Sequence, residues 1–188
     1  MIVPGIERLE GPDPTMAALA RAVRAAVPPG VTDDYMYGIS GVAFLATVCS
    51  NNCNCRDYRE LALRIEPGLR RLGLGYKHYE EGGAAAWEDI RESIDDGVPV
   101  VVFNLFGDYE DAVLTGYDLD KDLVYGWGAA PSPGAEYATA KLSAWKSEPI
   151  YAWVVRRGRQ AALDLKAIER EALAGALALA ARPPIEGG

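Results

Sequence analysis

The run from Val98 to Leu105, apolar at every position except Asn104, constrains the fold of this chain more than any other feature. A strand that is apolar at every position, rather than at alternate positions, is buried on both faces of its sheet. Further strands are predicted at residues 111–117, 123–127 and 150–156, and a short one at 76–79. Helical patterns dominate the first half of the chain and strands the second, so the sequence predicts an α+β domain with an antiparallel sheet.

Helices are predicted wherever apolar residues recur at a spacing of three or four. The predicted helices cover residues 14–27, 40–48, 57–72, 85–95 and 163–181. Arg21 and Arg24 lie off the apolar stripe of the first helix. The second helix, with Ser40 as its N-cap, carries no charge and is expected to be buried on all sides. The last helix has no charged residue from Ala172 to Ala181, so we expect it to pack on its own domain, a partner subunit or a further segment.

The size and charge of the chain exclude several classes of protein. Its 188 residues fit one domain spanning 1–188, and its formal net charge is −8. No basic face is available for nucleic acid or for an anionic membrane. No apolar run reaches the ~20 residues that span a bilayer, and the N-terminus lacks the basic and apolar blocks of a signal peptide. A cytoplasmic protein is therefore expected, and its three cysteines are not a secreted disulfide framework.

Three segments resemble the papain-like cysteine peptidases. Residues 38–44 read Gly-Ile-Ser-Gly-Val-Ala-Phe, residues 97–101 read Gly-Val-Pro-Val-Val, and residues 111–118 read Asp-Ala-Val-Leu-Thr-Gly-Tyr-Asp. They resemble, in turn, the start of the family's central helix, its Gly-x-Pro-Val-Ile strand and its His-bearing strand ending in Gly-Tyr-Asp. The last two features are typical of bacteriocin-processing peptidases and of the N-terminal domain of butirosin-type acyltransferases. The resemblance, over roughly residues 35–157, implies a papain-like fold with a helical half and an antiparallel sheet.

The same resemblance implies that the family's catalytic residues are missing. The nucleophilic cysteine falls at Gly41, the imidazole near Asp111, the orienting residue near Gly126 or Trp127, and the oxyanion donor near Tyr35. Because a thiolate–imidazole pair needs both partners, we expect a non-catalytic member of the fold, a pseudoenzyme. It would bind a small molecule, a peptide or a partner subunit in the residual cleft. The residues expected to line that cleft are Tyr35, Tyr37, Ser40, Gly41, Asp108, Tyr109, Asp111 and Trp127.

Alternative chemistry centres on Cys49, Cys53 and Cys55 together with His78, the only histidine. Three thiolates and one imidazole match a Cys₃His zinc site, although the spacing is not that of paired zinc knuckles. A thiol-dependent hydrolase or acyltransferase would instead use Cys53 or Cys55 as nucleophile and His78 as base. Inert thiols at a helix end are the third reading. No cofactor other than such a zinc ion is expected, and a homo-oligomer formed through the C-terminal helix is among the expected assemblies.

Overall fold

A computed structural model of the chain describes residues 1–9, 14–27, 31–44, 58–80, 83–106, 110–128, 137–146, 151–158 and 163–180. The chain divides into two compact units. We call Met1–Asp33 with Leu74–Arg159 the sheet unit, and Asp34–Gly73 with Gln160–Gly188 the helical unit.

Helices and strands occupy most of the described residues. The α-helices are α1 Pro14–Ala26, α2 Asp33–Ser40, α3 Tyr58–Arg71, α4 Ala84–Asp95 and α5 Leu165–Ala180. The strands are β1 Gly75–Tyr79, β2 Val100–Phe103, β3 Asp111–Asp118, β4 Leu123–Trp127, β5 Ala138–Lys141 and β6 Ala152–Arg156. Short 3₁₀ helices follow α2, at Val42–Phe44, and β5, at Leu142–Lys146.

The described strands form one antiparallel sheet in the order β1-β6-β2-β3-β4-β5. In its centre, Val101 of β2 lies opposite Val113 of β3 on one side and Trp153 of β6 on the other. The predicted α+β class with an antiparallel sheet is therefore confirmed. The five strands predicted from the sequence all form, and their ends differ from the predicted ones by at most two residues.

A helix covers each face of the sheet. Ile90 and Ile94 of α4 pack in one hydrophobic cluster with Val100 and Val102. Side chains alternate along a strand, so Val101 points to the opposite face, where α1 packs against β2, β3 and β6. Residues 100–102 are each at most 1% exposed. The apolar run in the sequence thus reflects a strand that is covered on both faces.

The N-terminal segment Met1–Val3 runs along the part of β3 that β2 leaves unpaired. The amide of Val3 donates to the carbonyl of Thr115 at 2.7 Å, and the amide of Tyr117 donates to the carbonyl of Met1 at 2.9 Å. Gly116 lies opposite Ile2, and a Cβ on Gly116 would stand 2.4 Å from the Met1 carbonyl oxygen. The close approach of the two backbones therefore requires glycine at this position.

The helical unit buries one stripe of α5. Ile168, Ala172 and Ala176 are buried four residues apart, whereas Leu173 and Leu177 are 54% and 64% exposed. The Nε atom of Arg71 in α3 lies 3.1 Å from a carboxylate oxygen of Glu171 in α5. The charge-free half of the last helix therefore packs within its own unit along one stripe, as the first of the three sequence-based alternatives predicts.

The sequence does not predict helix α2 or strand β5, and it places the start of one helix wrongly. The helix expected to begin at Ser40 does not: Ser40 is the last residue of α2, Gly41 follows with φ +80°, and Ala43 in the next 3₁₀ turn is exposed. Residues 45–48 of that prediction lie outside the described residues. Strand β5 was not predicted, because its residues Ala-Thr-Ala-Lys carry no large apolar side chain and resemble the loop before them.

Candidate functional site

The residues predicted to line a ligand cleft fall in both units. Tyr35, Tyr37, Ser40 and Gly41 belong to the helical unit, and Asp111 and Trp127 belong to the sheet unit. Asp108, Tyr109, Cys49, Cys53 and Cys55 lie outside the described residues. The cleft and its membership remain predictions.

Gly41 occupies the position that the resemblance assigns to a nucleophile. It follows the C-terminus of α2, where the side-chain hydroxyl of Ser40 accepts a hydrogen bond from the amide of Val42 at 3.3 Å. The guanidinium of Arg71 donates to the Ile39 carbonyl at 2.5 Å and so pairs with the negative end of this short helix. A cavity of about 60 Å³ beside Gly41 is too small for an organic ligand, whose sites measure about 300 Å³ or more.

Tyr35 borders a second cavity in the helical unit. This cavity measures about 210 Å³, and its walls include Gly38, Ile39, Glu169 and Leu173. Burial raises the pKa of the Tyr35 phenol, and the nearby carboxylate of Glu169 raises it further. The phenol is therefore neutral at physiological pH and able to donate a hydrogen bond.

Asp111 and Trp127 have bonding partners within the sheet unit. Asp111 is 6% exposed and accepts a hydrogen bond from the hydroxyl of Thr15 in α1. The indole Nε1 of Trp127 donates to the Ile6 carbonyl at 3.1 Å, and its ring lies 5.1 Å from that of Tyr137. These contacts attach α1 and the N-terminal segment to the sheet.

His78 lies in the edge strand β1 of the sheet unit. Its imidazole stacks on the ring of Trp153 with a centroid distance of 4.1 Å and an interplanar angle of 18°. The proposed thiol partners of His78 lie outside the described residues. Within the described ranges, no group of three or more His, Cys, Asp or Glu side chains is arranged to hold a metal ion.

The sheet unit contains a larger cavity, of about 500 Å³, beside the C-terminal half of α1. We call it the arginine cavity. Its walls come from the N-terminal segment, from α1 and from the residues that follow α4 and β6. The lining residues are Val3, Pro4, Gly5, Ile6, Glu7, Arg21, Arg24, Ala25, Gly97 and Arg157. A volume in this range is typical of sites for small organic ligands.

Arg21 is the most buried charged residue of this cavity, at 7% exposure. One terminal nitrogen of its guanidinium donates to a carboxylate oxygen of Asp33 at 2.5 Å, and the other donates to the Arg8 carbonyl at 3.1 Å. The Nε atom is buried and has no hydrogen-bond acceptor among the described residues. Leaving a buried donor without an acceptor costs about 1–3 kcal/mol, but this atom has almost no accessible surface, so it is not a contact point for a ligand in the cavity.

The charges around the cavity are predominantly positive. Arg24 is 37% exposed and pairs with the second carboxylate oxygen of Asp33. Arg157 and Glu7 are exposed, and neither forms an ion pair with another described residue. The three arginines carry three positive charges, and the carboxylates of Glu7 and Asp33 carry two negative ones, so the net charge at the cavity is +1. The chain as a whole has a formal net charge of −8.

Sequence reasoning did not single out the arginine cavity. Arg21 and Arg24 lie off the apolar stripe of α1, a position that usually indicates a solvated face. The available signal was the Arg-x-x-Arg spacing near the end of the helix, followed by Asp33 after the Pro-Pro-Gly segment. Such a pattern shows that the charges can pair, but it cannot show that a cavity opens beside them.

Comparisons of this chain with protein-family models, with curated proteins and with solved structures each give no match. Of the helices in the described part of the chain, none is long and apolar enough to cross a membrane.

Proposed function

We propose that this chain is a non-catalytic binding domain of papain-like architecture, located in the cytoplasm, and that it binds a small molecule in the arginine cavity. The observation that carries the proposal is the cavity itself. It measures about 500 Å³, and its walls include the three arginines Arg21, Arg24 and Arg157. Both features favour a ligand that contributes an acceptor group.

The surroundings of Gly41 support the non-catalytic part of the proposal. A reactive thiolate is stabilised at a helix N-terminus by the positive end of the helix dipole. Gly41 instead follows the C-terminal end of α2, where the dipole has the opposite sign. Replacing it with cysteine would therefore not place a thiol where the α2 dipole activates it.

Small-molecule binding can be tested by recording backbone amide resonances of the whole chain during titration with phenylacetate, phenylacetamide and benzyl alcohol. We expect at least one of these compounds to shift the amides of Ala25 and Gly97 in a saturable manner. Ala25→Leu fills part of the cavity and should abolish the shifts. Ala85→Leu adds the same atoms at an exposed position of α4 and should leave them unchanged. Absence of any saturable shift at Ala25 and Gly97 would rule out the arginine cavity as the ligand site.

The competing function, a hydrolase or acyltransferase that uses Cys53 or Cys55, makes a different prediction. Iodoacetamide at neutral pH would then label one thiol rapidly, and His78→Ala would suppress the labelling. A non-catalytic protein should show slow labelling that His78→Ala does not change.

A further inference from the structure

We propose that the ligand of the arginine cavity carries a single carboxylate, bound by the guanidinium of Arg157, on an apolar body. This inference rests on the proposed function and adds the chemical class of the ligand.

The guanidinium of Arg21 is held in place by contacts within the protein. Its two terminal nitrogens are held by Asp33 and by the Arg8 carbonyl, so the side chain is fixed by interactions independent of any ligand. Arg21 therefore gives the cavity a fixed positive charge, whereas Arg157 is exposed and can offer its guanidinium donors to a carboxylate oxygen. A carboxylate gains more from that contact than a neutral acceptor does, because it adds the attraction between opposite charges.

The charged side chains at the cavity sum to one positive charge. Asp33 already compensates part of the charge of Arg21 and Arg24, with Nη1 of Arg21 at 2.5 Å from one carboxylate oxygen. Arg157 forms no ion pair with another described residue, and its Nη2 atom lies 3.7 Å from the position that a Cβ on Gly97 would take. One uncompensated positive charge remains after Glu7 is counted, so a monoanion matches the cavity and a dianion such as a phosphate monoester does not.

Apolar side chains supply part of the cavity wall. Val3, Pro4, Ile6 and Ala25 provide apolar surface beside the arginines, and Val3 is only 5% exposed. Burial of hydrocarbon against such a surface is favourable, whereas a second polar group of the ligand would need a partner there. A compact organic acid with one carboxylate and a hydrocarbon body therefore fits the site better than acetate or a dicarboxylate.

The test compares phenylacetate with phenylacetamide, which has nearly the same shape but no charge, and with phenyl phosphate, which carries up to two. The readout is the dissociation constant obtained from the amide shifts of Ile6, Ala25 and Gly97. We expect phenylacetamide to bind about tenfold more weakly than phenylacetate, because it cannot form an ion pair with the guanidinium of Arg157. Phenyl phosphate should also bind more weakly than phenylacetate. A dipeptide, acetyl-Ala-Phe, distinguishes a peptide terminus from a free acid, and we expect it to be weaker because of its extra polar groups.

Two variants assign the effect to the arginines. Arg157→Gln removes an exposed guanidinium without disturbing the core, and should weaken phenylacetate about fivefold or more while leaving phenylacetamide unchanged. Arg21→Lys keeps the positive charge near Asp33, so it should keep the preference for phenylacetate over phenylacetamide within about twofold. Arg91→Gln removes an exposed guanidinium from α4, outside the cavity, and is the matched control.

Equal binding of phenylacetate and phenylacetamide, within about twofold, would overturn the carboxylate inference and leave small-molecule binding in place. Tighter binding of phenyl phosphate, or of the dipeptide, would also overturn the stated ligand class. An unchanged dissociation constant in Arg157→Gln would remove Arg157 from the site. If none of these compounds shifts the cavity amides, both this inference and the proposed function fail.

Discussion

Replacing Gly116 with alanine should detach the N-terminal segment from the sheet. The new Cβ would stand 2.4 Å from the carbonyl oxygen of Met1 and 2.9 Å from the Cα of Ile2. Both atoms belong to the backbone, so no side-chain rotation can relieve the contact and the two chains must separate.

The size of the effect follows from the contacts that separation removes. Val3 donates to Thr115 at 2.7 Å, Tyr117 donates to Met1 at 2.9 Å, and the terminal amine of Met1 donates to Tyr117 at 2.8 Å. At about 1 kcal/mol for each hydrogen bond, the segment loses roughly 3 kcal/mol of its attachment to β3. Exposure of Val3, which is 5% exposed when attached, adds to this loss.

Hydrogen exchange measures this detachment at a defined amide. The amide of Tyr117 is protected by the Met1 carbonyl, so a loss of roughly 3 kcal/mol should speed its exchange about a hundredfold. Phenylacetate affinity should fall as well, because the same segment supplies the cavity wall from Val3 to Glu7. Gly75→Ala is the matched control in strand β1, since its Cβ would stand 3.4 Å from the Cβ of Arg156. An exchange rate at Tyr117 within about threefold of the original would refute the argument that backbone pairing holds this segment.

Three further predictions concern stability and ionisation. Ile90→Ala removes a side chain that is 0% exposed, and should lower the free energy of unfolding in urea by about 2–5 kcal/mol. Gly41→Ala should cost about 1 kcal/mol in the same assay, because φ is +80° there; no loss would contradict the assigned backbone conformation. The pKa of Tyr117 is raised above 10.0, chiefly by the hydrogen bond that its hydroxyl donates to Asp95 and less by burial and by the Asp95 charge. The contribution of this bond to stability is therefore fully present below about pH 10 and is lost as pH rises through the raised pKa. Asp95→Asn should lower the phenol pKa in an ultraviolet titration, and an unchanged titration curve would contradict this cause.

The sequence predicts most of the sheet unit because its signals are local and strong. Val98–Leu105 has no polar residue that could face water on either side until Asn104, so a central strand is the simple interpretation. Gly97 ends α4 with φ +76°, as a glycine after a helix commonly does. In both cases the residues that determine the structure are neighbours in sequence.

The rest depends on contacts between residues that are far apart in sequence. The composition of residues 38–44 predicts a helix start, yet α2 ends within this segment. Gly68 of α3 packs closely against Ser40, and a Cβ built on Gly68 would stand 3.2 Å from the Cα of Ser40. Strand β5 forms because its backbone pairs with β4, and its own side chains give no signal. The arginine cavity likewise needs α1, the N-terminal segment and the residue after β6, which no local pattern brings together.

The position of β6 in the sheet has a consequence for the order in which the protein is made. β6 is the last of the described strands in chain order, yet it lies between β1 and β2 and pairs with both. Until residues 152–156 emerge from the ribosome, the backbone edge of β2 that faces β6 lacks this partner. Such a chain folds slowly and offers a transient binding site to chaperones, so truncation before residue 152 should yield an aggregating fragment and not a smaller stable sheet.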